Sequence, residues 1–255
     1  MRPVLLFDIE TVPDADMARK VLGAPESLGD DEALARLFPP KREGEAFGFP
    51  KPLYHKVVEI AVCAIGSSGE VSLLCALSPE SHYNEPTLLQ NFWLLAGRNP
   101  AARIATFNGR RFDVPVLVQR ALTHGVSPAP IFRGNYRARF QDGHVDVMEI
   151  LSDYGASVPL SRNEAAVMLG VPGKLGVDGA DVATLHAEGD MTTIAAYCTC
   201  DVATLTLCYA RLGVHTGWCS AKEAEQIEDG LVESLDRLSK TTPSCPLYRK
   251  FLDAI

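Results

Sequence analysis

The stretch Pro3–Thr11, "PVLLFDIET", sets two acids one residue apart at the end of a nearly continuous apolar run. Val4, Leu5, Leu6, Phe7 and Ile9 read as a strand covered on both faces, as in the middle of a helix-flanked sheet. Side chains alternate along a strand, so Asp8 and Glu10 leave the same face. Burying two unpaired carboxylates there costs several kcal/mol each, so a compensating charge is required. Hard oxygen ligands on one face suit Mg²⁺ or Mn²⁺; a solvated strand end is the plainer alternative.

Working outward, "VVEIAVCAI" (57–65) and "EVSLLCAL" (70–77) flank "GSSG" and predict a hairpin. Residues 14–55, including "FPPKREGEAFGFPKP", read as an irregular insertion with a short helix near "DDEALARLF". "PTLLQNFWLLAGR" (86–98) has helical spacing, "ARIATF" (102–107) is a short strand, and "VPVLVQRALTHG" (114–125) is a helix closed by Gly125. "HVDVMEIL" begins a further strand or turn. "SRNEAAVMLG" is a helix with a Ser161–Glu164 capping box. "MTTIAAYCTCDVATLTLCYARLG" (191–213) is a long buried helix, and "SAKEAEQIEDGLVESLDRLS" a more exposed terminal one. Three strands in meander followed by alternating helices and strands predict an α/β fold: a mixed sheet flanked by helices. The expected organisation is one domain over 1–212 with the insertion, and a C-terminal helical extension over 213–255.

The bulk numbers narrow the function. The 255 residues carry a formal net charge of −8, against a generic nucleic-acid coat. Yet eight arginines and a single acid, Asp113, fall between Arg98 and Phe140, which predicts either an anionic ligand held at one place or a set of solvated arginines. No run of about 18 apolar residues predicts a membrane span, and the N-terminal apolar run is too short for a signal peptide. Seven cysteines without a CxxC pair predict reduced thiols in a cytoplasmic protein.

Two further segments carry acids. In "FNGRRFDVPVL" (107–117), Asp113 sits where a loop enters a helix, as an N-cap or as a site acid. In "YCTCDVATL", Tyr197 and Asp201 share one helix face, four residues apart. An Asp in an apolar helix needs a partner, either the phenol itself or a metal.

Taken together, "FDIET", "FNGRRFD" and "YCTCD" resemble, in order and spacing, the three motifs of the DEDD superfamily of 3′→5′ exonucleases in its tyrosine-bearing form. More narrowly the chain resembles stand-alone bacterial exonucleases related to the proofreading domain of family-B DNA polymerases, in which an H-x-D segment, here His144-Val145-Asp146, also occurs. The resemblance covers roughly residues 3–212. It implies a ribonuclease H-like fold and two divalent ions, Mg²⁺ or Mn²⁺, held by Asp8, Glu10, Asp113 and Asp201. Tyr197 is implied to position the attacking water, releasing nucleoside 5′-monophosphates from the 3′ end of a single-stranded nucleic acid, with DNA favoured. RNA or short oligonucleotides are the alternative substrates, and a separate polymerase or repair complex is a possible partner.

Around these five residues, Thr11, Asn108, Arg110, Arg111, Phe112 and Lys174 are candidate substrate contacts. Asn108 could instead only cap its loop, and Phe107 and Phe112 either stack on bases or belong to the core. Asp146 stands outside the four-acid set as a structural or supporting residue. "VPGKLGVDG" lacks the P-loop spacing. "DIET" also approaches the D-x-D-x-T of aspartyl-nucleophile phosphatases, but the chain lacks their downstream lysine and paired-acid motif. A non-catalytic binding module has no support in a sequence that keeps all four acids and the tyrosine.

Overall fold

The computed structural model describes residues 1–76, 84–98, 101–127, 136, 138–242 and 245–255. Its centre is the opening strand, β1 (Val4–Pro13). β1 pairs antiparallel with β2 (His55–Ile65), which pairs antiparallel with β3 (Val71–Ala76) across the Gly66–Gly69 turn. On its other side β1 runs parallel to β4 (Arg103–Thr106), and β4 parallel to β5 (His144–Asp146). The sheet order β3-β2-β1-β4-β5 makes β1 the seam between a meander and a parallel half, as the motif order predicts.

Alternation along β1 splits the core into two layers. Leu5, Phe7 and Ile9 pack with Ile60 and Val62 under α3 (Glu85–Gly97) and α4 (Asp113–Thr123). Val4 and Leu6 face α8 (Met191–Thr216), which α9 (Ala221–Thr241) and α10 (Leu247–Leu252) back. α8 is long and apolar enough to cross a membrane by composition, yet 67% of its most apolar window is buried against the sheet and its neighbours. Short helices fill the rest: α5 (Val147–Leu151), α6 (Arg162–Leu169) and α7 (Val182–Glu188).

The insertion is more ordered than its composition suggests. It forms α1 (Ala15–Leu22), which Asp14 caps by accepting from the Met17 amide, and α2 (Asp30–Leu37), around a small core of Ala18, Ala33, Leu34 and Tyr54. α1 escapes notice because its polar residues, Asp16, Arg19 and Lys20, interrupt the apolar spacing. α10 escapes for its shortness.

A buried ionic hub ties the insertion to the domain. Arg120 donates to both Glu85 oxygens at 2.8 and 2.6 Å and to Asp14 Oδ2 at 2.7 Å. Glu85 also accepts from the Val57 amide at 2.8 Å and sits 2.8 Å from His124 Nε2. Arg120 and Glu85 are both 3% exposed, so removing one partner strands a buried charge. Arg120→Met should therefore cost about 3–5 kcal/mol in denaturant unfolding, and adding Glu85→Gln should recover part of it. A single variant within about 1 kcal/mol of wild type would contradict the hub's role.

Candidate active site

The parallel strands β1, β4 and β5 all end on one side of the sheet, where ligands of open α/β sheets bind. Asp8 and Glu10 lie there on the α8 face, at 4 and 8% exposure, just before a bulge between Glu10 and Thr11. A pocket of ≈ 440 Å³ opens over them, and Asp113, Tyr197 and Asp201 share its wall. Asp113 is the first residue of α4; the N-cap is Phe112, so capping does not explain the acid. Its carboxyl lies close enough to that of Asp8 for the Asp8 charge to act on it. Tyr197 and Asp201 come from one face of α8, as their spacing predicts.

Crowding shows in the protonation equilibria. Burial pushes Asp8 up to about 6, with Asp201 adding to the shift while Arg162 opposes it. Burial, then the charges of Asp8 and Asp201, raise Glu10 well above the usual carboxylate range. Burial and Asp8 do the same to Asp113. Tyr197 is likewise raised, by burial first and then by Asp201 and Glu10, so its phenol stays protonated. Cys198 Sγ lies with the Asp8 and Glu10 oxygens inside 4.8 Å, but burial keeps the thiol protonated and it donates to the Asp8 carbonyl at 3.5 Å. The ligand-type donors are thus hard carboxylate oxygens, the set that Mg²⁺ and Mn²⁺ prefer, and mutual repulsion among them is what a divalent cation relieves.

The opening motif's compensating charge has a source that sequence reasoning missed. Arg162, the first residue of α6, donates from Nη2 to Asp8 Oδ1 at 2.7 Å and from Nη1 to Asp201 Oδ2. A cation at a helix N-terminus opposes the helix dipole, and that anomaly was the available signal. The capping box of Ser161 and Glu164 forms as expected and fixes the turn that carries Arg162.

The loop 107–112 depends on the H-x-D segment. Asp146 accepts from the Asn108 amide at 2.9 Å and the Arg110 amide at 3.0 Å, and it caps α5. Asn108 adopts φ 63°, and a Cβ at Gly109 would meet the Thr106 side chain at 2.5 Å, so the turn is tight. Thr106 in turn is 2.8 Å from His144 Nε2, and burial and Arg110 hold His144 neutral, with a pKa of about 3. The Asn108 backbone carbonyl, not its side chain, closes the loop: it accepts from the amides of Arg111 and Phe112. Asn108 Oδ1 has no partner and its residue lines the pocket, as a ligand contact would.

The remaining candidates divide. Phe107 and Phe112 line the pocket; Phe107 is 7% exposed and also belongs to the core. Phe112 continues into an aromatic row, with His55 at 4.8 Å and the exposed Phe49 at 5.7 Å between ring centroids. Lys174 lines the pocket while paired to Asp178. Thr11 turns to His55 Nδ1, 3.0 Å away, and is not part of the wall. The structure corrects the reading of Arg110 as a phosphate contact. Its guanidinium donates to the carbonyls of Tyr136 and His144 at 2.7 Å each and pairs with Glu149 at 3.2 Å. Arg111 is exposed on the loop, outside the pocket wall.

The basic stretch divides: Arg98, Arg111 and Arg139 are exposed, while others are buried against acids. Arg103 pairs with Asp142, Arg120 with Glu85 and Asp14, and Arg139 with Glu149. Arg103 and Arg120 are buried against acids from elsewhere in the chain, and the exposed Arg139 pairs with the buried Glu149. Arg133 and Arg137 lie outside the described residues.

The mixed sheet with acids gathered where its parallel strands end has the α/β arrangement of the ribonuclease H-like fold. Residues 48–254 match the family described as "Predicted 3'-5' exonuclease related to the exonuclease domain of PolB"; the chain belongs to that family and is a 3′–5′ exonuclease. No curated protein sequence matches it. The family B DNA polymerase of the hyperthermophilic archaeon Pyrobaculum calidifontis aligns with 94% of this chain and 29% of its own, at 18% identity and a TM-score of 0.53, a likeness of fold. Exonuclease I aligns with 88% of this chain and 43% of its own, at 12% identity and TM-score 0.37. E. coli exonuclease I bound to a dT13 oligonucleotide aligns with 84% and 41%, at 13% and 0.37. The chain spans less than half the length of each. Exonucleases of this type use divalent metals, which the acid cluster suits.

A pH dependence follows. Asp8, Glu10 and Asp113 hold protons more tightly folded than unfolded, so their contribution to stability is present at low pH and lost as pH rises through about 6 and beyond. A bound cation removes that loss. The gap in unfolding midpoint between protein in Mn²⁺ and protein in EDTA should widen from about pH 5 to about pH 8; a constant or narrowing gap would refute the cluster's role.

Proposed function

We propose that this pocket binds the 3′ end of a single-stranded nucleic acid and hydrolyses its terminal phosphodiester, releasing a nucleoside 5′-monophosphate. The observation that carries the reading is the convergence of Asp8, Glu10, Asp113, Asp201 and Tyr197, from one strand and two helices, on a single cavity. Asp8, Glu10, Asp113 and Asp201 would hold two divalent cations, Mg²⁺ or Mn²⁺. When bound, such ions activate a water and stabilise the charge that builds on the leaving oxygen.

The chain's own groups do the rest. Tyr197, kept protonated, donates a hydrogen bond that orients the attacking water. Asn108 Oδ1 accepts from the terminal nucleotide, and Phe112 offers its face to the base. Lys174 reaches the backbone from the pocket rim. Single-stranded DNA is the favoured substrate because the family is related to polymerase exonuclease domains. RNA is the second reading, as no described contact addresses a 2′-hydroxyl. A separate polymerase or repair complex would supply the ends. The free cysteines, buried throughout the described residues, suit a reducing compartment such as the cytoplasm.

The test is a panel of 5′-labelled and 3′-labelled DNA and RNA strands with Mg²⁺, Mn²⁺ or EDTA. A shortening ladder from the 3′ end that EDTA abolishes is expected, faster on DNA. Asp8→Asn and Asp201→Asn should each lower kcat by about 10³-fold or more while unfolding cooperatively. Tyr197→Phe should lower kcat by roughly 10²-fold with KM little changed. Near-wild-type turnover in Asp8→Asn, or a pure KM defect in Tyr197→Phe, would contradict the assigned roles.

A further inference from the structure

Arg162 is the cation of this pocket that the proposed reaction leaves without a task. Its guanidinium bridges Asp8 and Asp201, carboxylates from β1 and α8, and its Cζ lies 5.9 Å from the ring centroid of Phe107. The side chain is 25% exposed and lines the cavity, while its Nε is buried without a partner. So only part of its hydrogen-bonding capacity is spent on the two acids, and the group borders the space a substrate would fill. The other basic residue of the wall, Lys174, is paired with Asp178 and more than half exposed.

Charge counting gives the two pairings different partners. Asp8, Glu10, Asp113 and Asp201 together balance two divalent cations. Arg162 then stands as an uncompensated positive charge beside the cavity, and the phosphodiester that enters carries one negative charge. A planar guanidinium with free N–H groups is well shaped for phosphate oxygens.

Resting on the reading of Asp8 and Asp201 as metal ligands, we infer that Arg162 is an exchangeable counter-ion. It competes with a divalent cation for the oxygens of Asp8 and Asp201, and once displaced it binds the phosphodiester of the terminal nucleotide. No bond is made or broken in this exchange; two ion pairs trade partners. Metal loading and substrate binding are therefore coupled through one side chain: each cation that takes Asp8 or Asp201 frees a phosphate ligand. Fixing α6 by its capping box leaves the exchange to the side-chain torsions of Arg162.

The experiment compares wild type with Arg162→Met, which keeps the stem and removes the charge, and with Arg162→Lys. Mn²⁺ is titrated without nucleic acid and followed by electron paramagnetic resonance of the free ion. If the arginine pairs with the acids about nine-tenths of the time, Arg162→Met should bind Mn²⁺ about tenfold more tightly, because the competing state is gone. With Ca²⁺ present, which permits binding, the same variant should hold a fluorescein-labelled single strand roughly tenfold more weakly. Arg162→Lys should fall between the two on both measures. Unchanged or weaker Mn²⁺ binding in Arg162→Met overturns the competition, and unchanged strand binding overturns the phosphate role. Should Arg162→Met fail to fold, the Nε–H resonance of Arg162 in ¹⁵N-arginine-labelled wild type, identified by its loss in Arg162→Lys, should move when Mg²⁺ is added. An unmoved resonance also overturns the inference. Asp201→Asn separates this failure from that of the metal site itself: wild-type Mn²⁺ affinity in that variant refutes the site, whatever Arg162 does.

Discussion

At the C-terminal edge of β1 the side chains of Asp8 and Glu10 enter a space largely stripped of water, and Asp113 and Asp201 join them from α4 and α8. Carboxylates gathered in this way repel one another in a medium that screens poorly, so Asp8, Glu10 and Asp113 hold their protons more tightly than free carboxyls do. The fold answers in two ways: Arg162 clasps Asp8 and Asp201, and the donor set suits a divalent cation. Much of the surrounding structure serves to keep this unfavourable cluster assembled. α8 supplies an apolar wall behind it, and the alternation of β1 sends the neighbouring apolar residues into the opposite layer.

Around the acids stands a frame of hydrogen-bonded polar groups. Asp146 shapes the loop ahead of Asp113 by accepting two backbone amides, and a neutral His144 braces Thr106 beneath Gly109. Arg110 and Glu149 secure the same corner from behind. Such a frame fixes the direction in which Asn108, Phe112 and Asp113 point, and the charge of Asp146 adds to the upward shift of Asp113. Precision of this kind is what hydrolysis of a phosphodiester demands, since a catalytic group displaced by about 1 Å loses most of its effect.

The arginines show how an acidic chain uses its positive charges. Arg103 and Arg120 reach acids that lie far away in sequence, and each pair joins elements that the backbone alone would not hold together. Arg120 is the clearest instance, since Asp14, Glu85 and the Leu53 carbonyl come from three separate segments.

By itself the sequence determined the strand periodicity of β1, the shared face of Asp8 and Glu10, the hairpin after it, the one-turn spacing of Tyr197 and Asp201, and the capping box before Arg162. These are local facts, set by side-chain alternation, helical repeat and turn chemistry, and they suffice for the mixed sheet; joining Asp113 and the other four residues into one set rested on the resemblance to the exonuclease motifs. What only the tertiary structure decided are the pairings between distant segments: Arg162 on Asp8 and Asp201, Asp146 on the 108–110 amides, Arg110 turned away from the pocket toward Glu149, and Thr11 turned to His55. An arginine reads the same in a sequence whether it grips a phosphate or a carboxylate. Its partner is chosen by which acid the packed chain brings within reach of its guanidinium.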